Sequence, residues 1–136
     1  MATTNLDARS FMLGPCDALD GTLVFAGADE LVEGTLLGID TTAGTALKPR
    51  FVLFDPGGAG AELIVKAVLT HDLSVAGAGT ETVRAVVRGT VNYNKLVIDG
   101  AADLSTFTAA HADGARDAGI LIKDATELGV YDNPQS

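Results

Sequence analysis

The sequence predicts a mainly β domain with one short helix (α+β), built as a small barrel or sandwich. Three observations carry this. From Gly21 onward, short apolar runs alternate with glycine-rich turns. Residues 82–93 alternate apolar and polar with a period of two. A single stretch, residues 103–119, repeats its apolar side chains at helical spacing.

The first twenty residues read differently. They hold no sustained period, and Gly14-Pro15 punctuates them, yet Phe11, Met12 and Leu13 stand together. This pattern predicts a flexible arm, residues 1–20, loose alone but with apolar surface to bury on a partner. Residues 21–136 then form one β-rich domain.

Within that domain, residues 22–26 form the first strand and residues 31–39 the second, broken or bulged at Gly34. Residues 51–54 form an apolar run that stops at Asp55-Pro56-Gly57-Gly58, where proline fixes one φ and the glycines free the next two: a turn. Residues 62–70 read as a longer strand, continuous enough in apolar character for burial on both faces. In residues 82–93, Val83, Ala85, Val87, Val91 and Tyr93 share one face, and Thr82, Arg84, Arg88, Thr90 and Asn92 the other. The helix has Asp103 or Ser105 as its cap, Leu104, Phe107, His111, Ala115 and Ala118 on one face, and Gly119 as its terminator. Gly114 weakens it and predicts a break near Asp113. Residues 120–122 return as a strand, and residues 133–136 are a polar tail.

Composition narrows the function classes. A chain of 136 residues fits one domain, and 47% hydrophobic content is enough for a core although Trp is absent. Net charge is −9, with nine Lys and Arg against eighteen Asp and Glu. Nucleic acid and anionic lipid both draw their affinity from clustered cations, so neither is an expected partner. The most apolar run, residues 63–69, is interrupted by Lys66 and falls far short of the roughly 20 residues a membrane helix needs. Residues 1–10 do not read as a secretory signal. Cys16 is the only cysteine, which rules out an intramolecular disulfide and a cysteine zinc site and fits folding in a reducing cytoplasm.

No catalyst emerges from the spacing of reactive residues. His71 and His111 are the only histidines, and His71-Asp72 are strand neighbours whose side chains point apart. Cys16 sits in the irregular arm. The clusters Gly57-Gly58-Ala59-Gly60 and Gly77-Ala78-Gly79-Thr80 lack the lysine and following helix of a phosphate loop, and read as hairpin glycines. His111-Ala112-Asp113 cannot converge on a metal from a helix, and Asp17, Asp20 and Gly21 lack the pattern of a calcium loop. The expectation is a protein that is not an enzyme and has no cofactor or metal.

Five blocks in order resemble the head decoration protein family of tailed phages, the lambda-like capsid-stabilising proteins. Gly34-Thr35-Leu36-Leu37-Gly38 is similar to the family's first strand and glycine turn. Phe51-Val52-Leu53-Phe54-Asp55-Pro56 with its glycine-rich turn matches the next block. Lys66-Ala67-Val68-Leu69 with Asp72 resembles the strand that in relatives reads G-I-L-A before an acidic residue. Val86-Val87-Arg88-Gly89-Thr90-Val91-Asn92 is similar to the family's Arg-Gly strand, and residues 115–122 resemble its closing helix and strand. The resemblance spans residues 34–122; residues 1–31 and 127–136 lie outside it, and Lys66 stands where relatives often carry a small residue.

The resemblance implies a β-tulip-like decoration domain with no catalytic residues. It implies a homotrimer on the outer surface of the expanded capsid, made in the host cytoplasm and cementing neighbouring major capsid proteins against DNA pressure. Combined with the arm reading, it makes Leu6, Phe11, Met12 and Leu13 the residues expected to bury on the shell, by adding a strand to a capsid sheet edge. The alternatives from other classes are a glycan- or ligand-binding β-domain of a phage tail or adhesin, using Tyr93 and Tyr131 as stacking aromatics, and a hydrolase built on His71 or His111.

Overall fold

The structure, a computed structural model, describes residues 11–45, 47–58, 60–101 and 103–124. In chain order these form β1 (Asp17–Phe25), β2 (Asp29–Leu31), β3 (Leu36–Gly44), β4 (Pro49–Leu53), β5 (Ala67–Leu69), β6 (Leu73–Val75), β7 (Gly79–Asn92), helix α1 (Ala109–Ala118) and β8 (Ile120–Lys123). Short 3₁₀ turns lie at Gly60–Leu63 and Tyr93–Lys95. The chain is mainly β with one helix, and of the two architectures foreseen it adopts the barrel.

Five strands close that barrel in the order β1-β4-β3-β5-β7, with β7 returning to pair with β1. Closure leaves none of these five strands as a free edge, which removes the templates that open sheets expose. The β1–β4 contact, Thr22 opposite Arg50 and Leu23 opposite Phe51, is parallel, whereas the other staves pair antiparallel. Strands β2 and β6 form a separate two-stranded ribbon.

Strand parity divides the apolar residues into two cores. Leu23, Phe25, Leu37, Phe51, Leu69, Val83 and Ala85 occupy alternate positions and fill the barrel. Leu36, Val68 and Val86 lie opposite one another in register and face outward. There they meet Phe11, Phe54, Val65, Val91, Ile98, Ala115 and Ile120 in a second, external core. All three residues of β5 are therefore buried, Ala67 and Leu69 inward and Val68 outward. Burial on both faces is what its unbroken apolar run requires.

Strand β7 joins the two cores. Residues 79–88 pair with β1 as a barrel stave, while residues 89–92 leave the barrel and pair in parallel with β8. The change comes at Gly89, at φ 143°, where an added Cβ would lie 2.5 Å from Cys16 Sγ. On its other side this outer half of β7 takes residues 11–13: Met12 bridges Val91, Leu13 N donates to Thr90 O (2.9 Å) and Asn92 N to Phe11 O (2.7 Å). The helix packs over the same core through Ala115.

Several expectations need correction. The arm foreseen over residues 1–20 does not extend that far: β1 begins at Asp17, and Phe11 is only 1% exposed inside the chain's own external core. Gly14-Pro15 punctuates without detaching the segment, because residues 11–13 find backbone partners on β7. Residues 1–10, including Leu6, and residues 125–136, including Tyr131 and the polar tail, lie outside the described residues. The strand foreseen over residues 62–70 is a 3₁₀ turn followed by the three residues of β5. The helix starts at Thr108, not at Asp103 or Ser105. Asp103 does accept a hydrogen bond from Ser105 N (2.9 Å), but in a turn ahead of the helix. Thr108 forms a capping box with His111, which replaces the usual Glu or Gln at the third position. Gly114 causes no break, and Gly119 ends the helix in the left-handed conformation as foreseen.

Candidate functional site

Each reactive residue singled out in the sequence has a structural task. His71 Nε2 accepts from Arg84 N (3.2 Å), and its Nδ1 lies 3.0 Å from Asp72 O. His111 Nδ1 accepts from Thr108 N (3.0 Å), and its ring packs edge-on against Phe54, centroids 5.3 Å apart. The two histidines stand in different layers and share no partner. Cys16 is half-buried against Thr90 O, and burial pushes its thiol pKa up, which disfavours the nucleophilic thiolate. Among the described residues no three His, Cys, Asp or Glu side chains gather as metal ligands, and no helix is long and apolar enough to cross a membrane. Tyr93 is half-buried, with its ring tilted against Phe107 at 6.2 Å.

The four residues expected to contact a shell separate into distinct groups. Phe11 is an internal anchor. Met12 and Leu13 are half-buried beside it, and Leu6 lies outside the described residues. A partner cannot recruit Phe11 without emptying the external core, because that core already holds its ring. Residues 11–13 therefore belong to the folded domain.

A pair of carboxyls escaped sequence reasoning. Asp29, at the start of β2, and Asp99, in the turn after Ile98, are in hydrogen-bond contact. Burial, then the bond to Asp29 and that group's charge, push the Asp99 pKa up to about 6. Seventy positions separate the two, so no spacing rule could pair them, and Asp99-Gly100 reads locally as a turn dipeptide. The native state holds the Asp99 proton up to about pH 6, whereas the unfolded chain releases it near pH 4. Stability from this group is thus full below pH 4, falls between pH 4 and 6, and stays reduced above. Asp99→Asn, which still donates to Asp29, is expected to raise stability at pH 7. Asp99 is largely water-screened, so the gain is held to about 1 kcal/mol, or about 3 °C. Thermal unfolding of both proteins from pH 3 to 8 checks this: the curves should merge at the acid end, and a constant offset would refute the assignment.

A concavity lies at the open end of the barrel. The inward positions that follow the filled core are Leu19 on β1, Ile39 on β3 and Val87 on β7. With Ala43 and Pro49 they line an apolar recess of about 320 Å³, rimmed by Asp40, Thr41 and Thr45. Thr42 Oγ1 (2.6 Å) and Thr42 N (2.9 Å) both donate to Asp40 Oδ1 and hold its carboxyl below the usual range. Once the strands are placed, period-two counting finds this mouth; without barrel closure it cannot. The β3–β4 hairpin beside it carries Leu47, which is 84% exposed. A leucine amid Thr, Ala, Lys and Pro between two strands was a readable signal that sequence reasoning did not use. Such mouths accept apolar groups and offer no reacting constellation. A scan against protein-family models finds no match for this chain, and a search of curated proteins finds none either.

Proposed function

We propose that the chain is a structural virion protein that seats as a trimer on the outside of an expanded phage head. It cements neighbouring major capsid subunits against the pressure of packaged DNA and performs no catalysis. The observation that carries this reading is positional. The five blocks of the family resemblance fall in order on β3, β4, β5, the turning region of β7 and the α1–β8 closure. They supply four of the five barrel staves, all but β1, and part of the layer that covers them, so the resemblance follows the architecture and not isolated loops.

Physical considerations agree. A three-fold ring repeats one heterologous interface, and each trimer can touch several capsid subunits at once. Modest contacts then become strong through effective concentration. The acidic net charge of −9 suits a protein facing away from the genome. The contact segment is revised to residues 1–10, including Leu6, with Met12 and Leu13 at its root and Phe11 as the internal anchor.

Two measurements test the proposal. Purified protein should pellet with expanded, undecorated shells saturably and in multiples of three, and not with unexpanded shells. Removing residues 1–10 should abolish pelleting while leaving the melting temperature within about 2 °C, because that cut spares Phe11. Full pelleting by the truncated chain would refute the role of the segment. No pelleting by the intact chain with shells of its own phage would refute the capsid reading.

A further inference from the structure

The β3–β4 hairpin carries a projecting apolar side chain next to an unfilled apolar recess. Leu47 is 84% exposed, whereas the other large exposed hydrophobic residues among those described, Val32, Leu63, Ile64 and Leu121, stay between 37% and 46%. A lone exposed leucine needs no explanation in itself. Here, however, the loop holds it outward: Thr45 N donates to Lys48 O (3.1 Å), and Lys48 N to Thr45 Oγ1 (3.0 Å). Gly44, at φ 75°, makes the tight entrance to that loop. The recess lies against the same hairpin, since Ala43, Gly44, Thr45 and Pro49 belong to both.

Charge follows the same division. Lys48, next to Leu47, is exposed and makes no ion pair among the described residues. Asp40 stands at the rim of the recess, held by Thr42 and facing Arg50 across the hairpin, with its carboxyl exposed to a further cation. One molecule thus carries a knob with a cation beside it and a hole with an anion beside it. A knob and its hole placed side by side cannot satisfy each other within one rigid hairpin. They do so between copies arranged about an axis passing beside the hairpin.

We infer that the β3–β4 hairpin is a self-association surface, in which Leu47 of one copy enters the barrel mouth of the next, between Leu19, Ile39 and Val87, and Lys48 approaches Asp40. This deepens the trimer of the proposed function and rests on it: the contact is heterologous, and three repeats close a ring. The partner is a second copy of this chain because knob, hole and both charges come from one sequence.

Sedimentation velocity of the full chain and of Leu47→Asp over a range of concentrations tests it. The exposed position leaves folding untouched, which circular dichroism verifies. Wild type should sediment as a trimer, and Leu47→Asp should weaken each subunit interface about tenfold to a hundredfold. Leu47→Met should keep the trimer, and Ala43→Phe, which fills the hole from within, should weaken it as Leu47→Asp does. A trimer of unchanged stability in Leu47→Asp overturns the inference, and so does a wild-type chain that stays monomeric at every concentration. Neither result touches the capsid reading, which stands or falls on whether the intact chain pellets with shells.

Discussion

Replacing Phe11 by alanine is expected to lower the unfolding free energy by about 3–5 kcal/mol, the range for deleting a fully buried aromatic side chain. Phe11 is 1% exposed and belongs to the external core with Leu36, Phe54, Val68, Val86 and Ile120. The backbone on either side is fixed to β7 by Asn92 N to Phe11 O and Leu13 N to Thr90 O. The surroundings therefore cannot close over the missing ring, and a cavity remains. For a domain of this size the melting temperature should fall by roughly 10–15 °C. Urea unfolding distinguishes this from an arm role. If Phe11 served only a partner, its truncation would leave the midpoint within about 0.5 kcal/mol of wild type and remove binding alone. An unchanged midpoint would overturn the placement of residues 11–13 on β7. A lower midpoint with unchanged slope supports it, since the slope follows the surface exposed on unfolding.

That contrast shows what was legible in the sequence and what was not. Local signals read well: the alternation over residues 82–93 is β7, the Asp55-Pro56-Gly57-Gly58 turn closes as foreseen with Gly58 N on Asp55 O, and Gly119 ends α1. Misreadings arose where a local pattern had two structural solutions. The apolar stretch before Leu69 resembles a strand, yet a short continuous run does not separate strand from turn-plus-strand. Only its second half is buried, Val65 and Val68 against the external core and Ala67 inside the barrel, whereas Leu63 and Ile64 stay exposed. Asp103 bonds Ser105 like a helix cap without starting a helix, and the true cap hides because His111 fills the place of Glu or Gln. Residues 11–13 lack any period, since a single bridge to Val91 needs none. What no local pattern could hold was long-range: the parallel β1–β4 pair that closes the barrel, the Asp29–Asp99 contact, and the mouth that closure creates.

Gly34→Ala is the second substitution expected to have a large effect, and it tests the crossing that joins the barrel to its outer layer. Gly34 sits at φ 97°, and a Cβ built there lies 2.2 Å from Lys95 O, a backbone atom that cannot rotate away. Around it, Gly34 N donates to Leu69 O (2.9 Å), Val97 N to Gly34 O (3.0 Å) and Leu36 N to Val97 O (2.8 Å). Leu96 and Ile98, on either side of Val97, insert into the external core. Alanine must therefore adopt a left-handed backbone, at about 1–2 kcal/mol, and push the 95–98 segment off the barrel, at about 1–3 kcal/mol more. A total of about 2–5 kcal/mol, or roughly 6–15 °C in melting temperature, is expected. Two companion substitutions separate the contributions. Gly100→Ala, at φ 81° with nothing within 4 Å of the new Cβ, carries the backbone cost alone. Gly77→Ala, with an open Cβ position and no positive φ, carries neither and should lie within about 0.5 kcal/mol of wild type. If Gly34→Ala costs no more than Gly100→Ala, the close approach to Lys95 is not a constraint on the fold. If it costs at least about 1 kcal/mol more, as the geometry requires, the crossing at Gly34 holds the external core against the barrel, because only a residue without Cβ lets the two backbones meet.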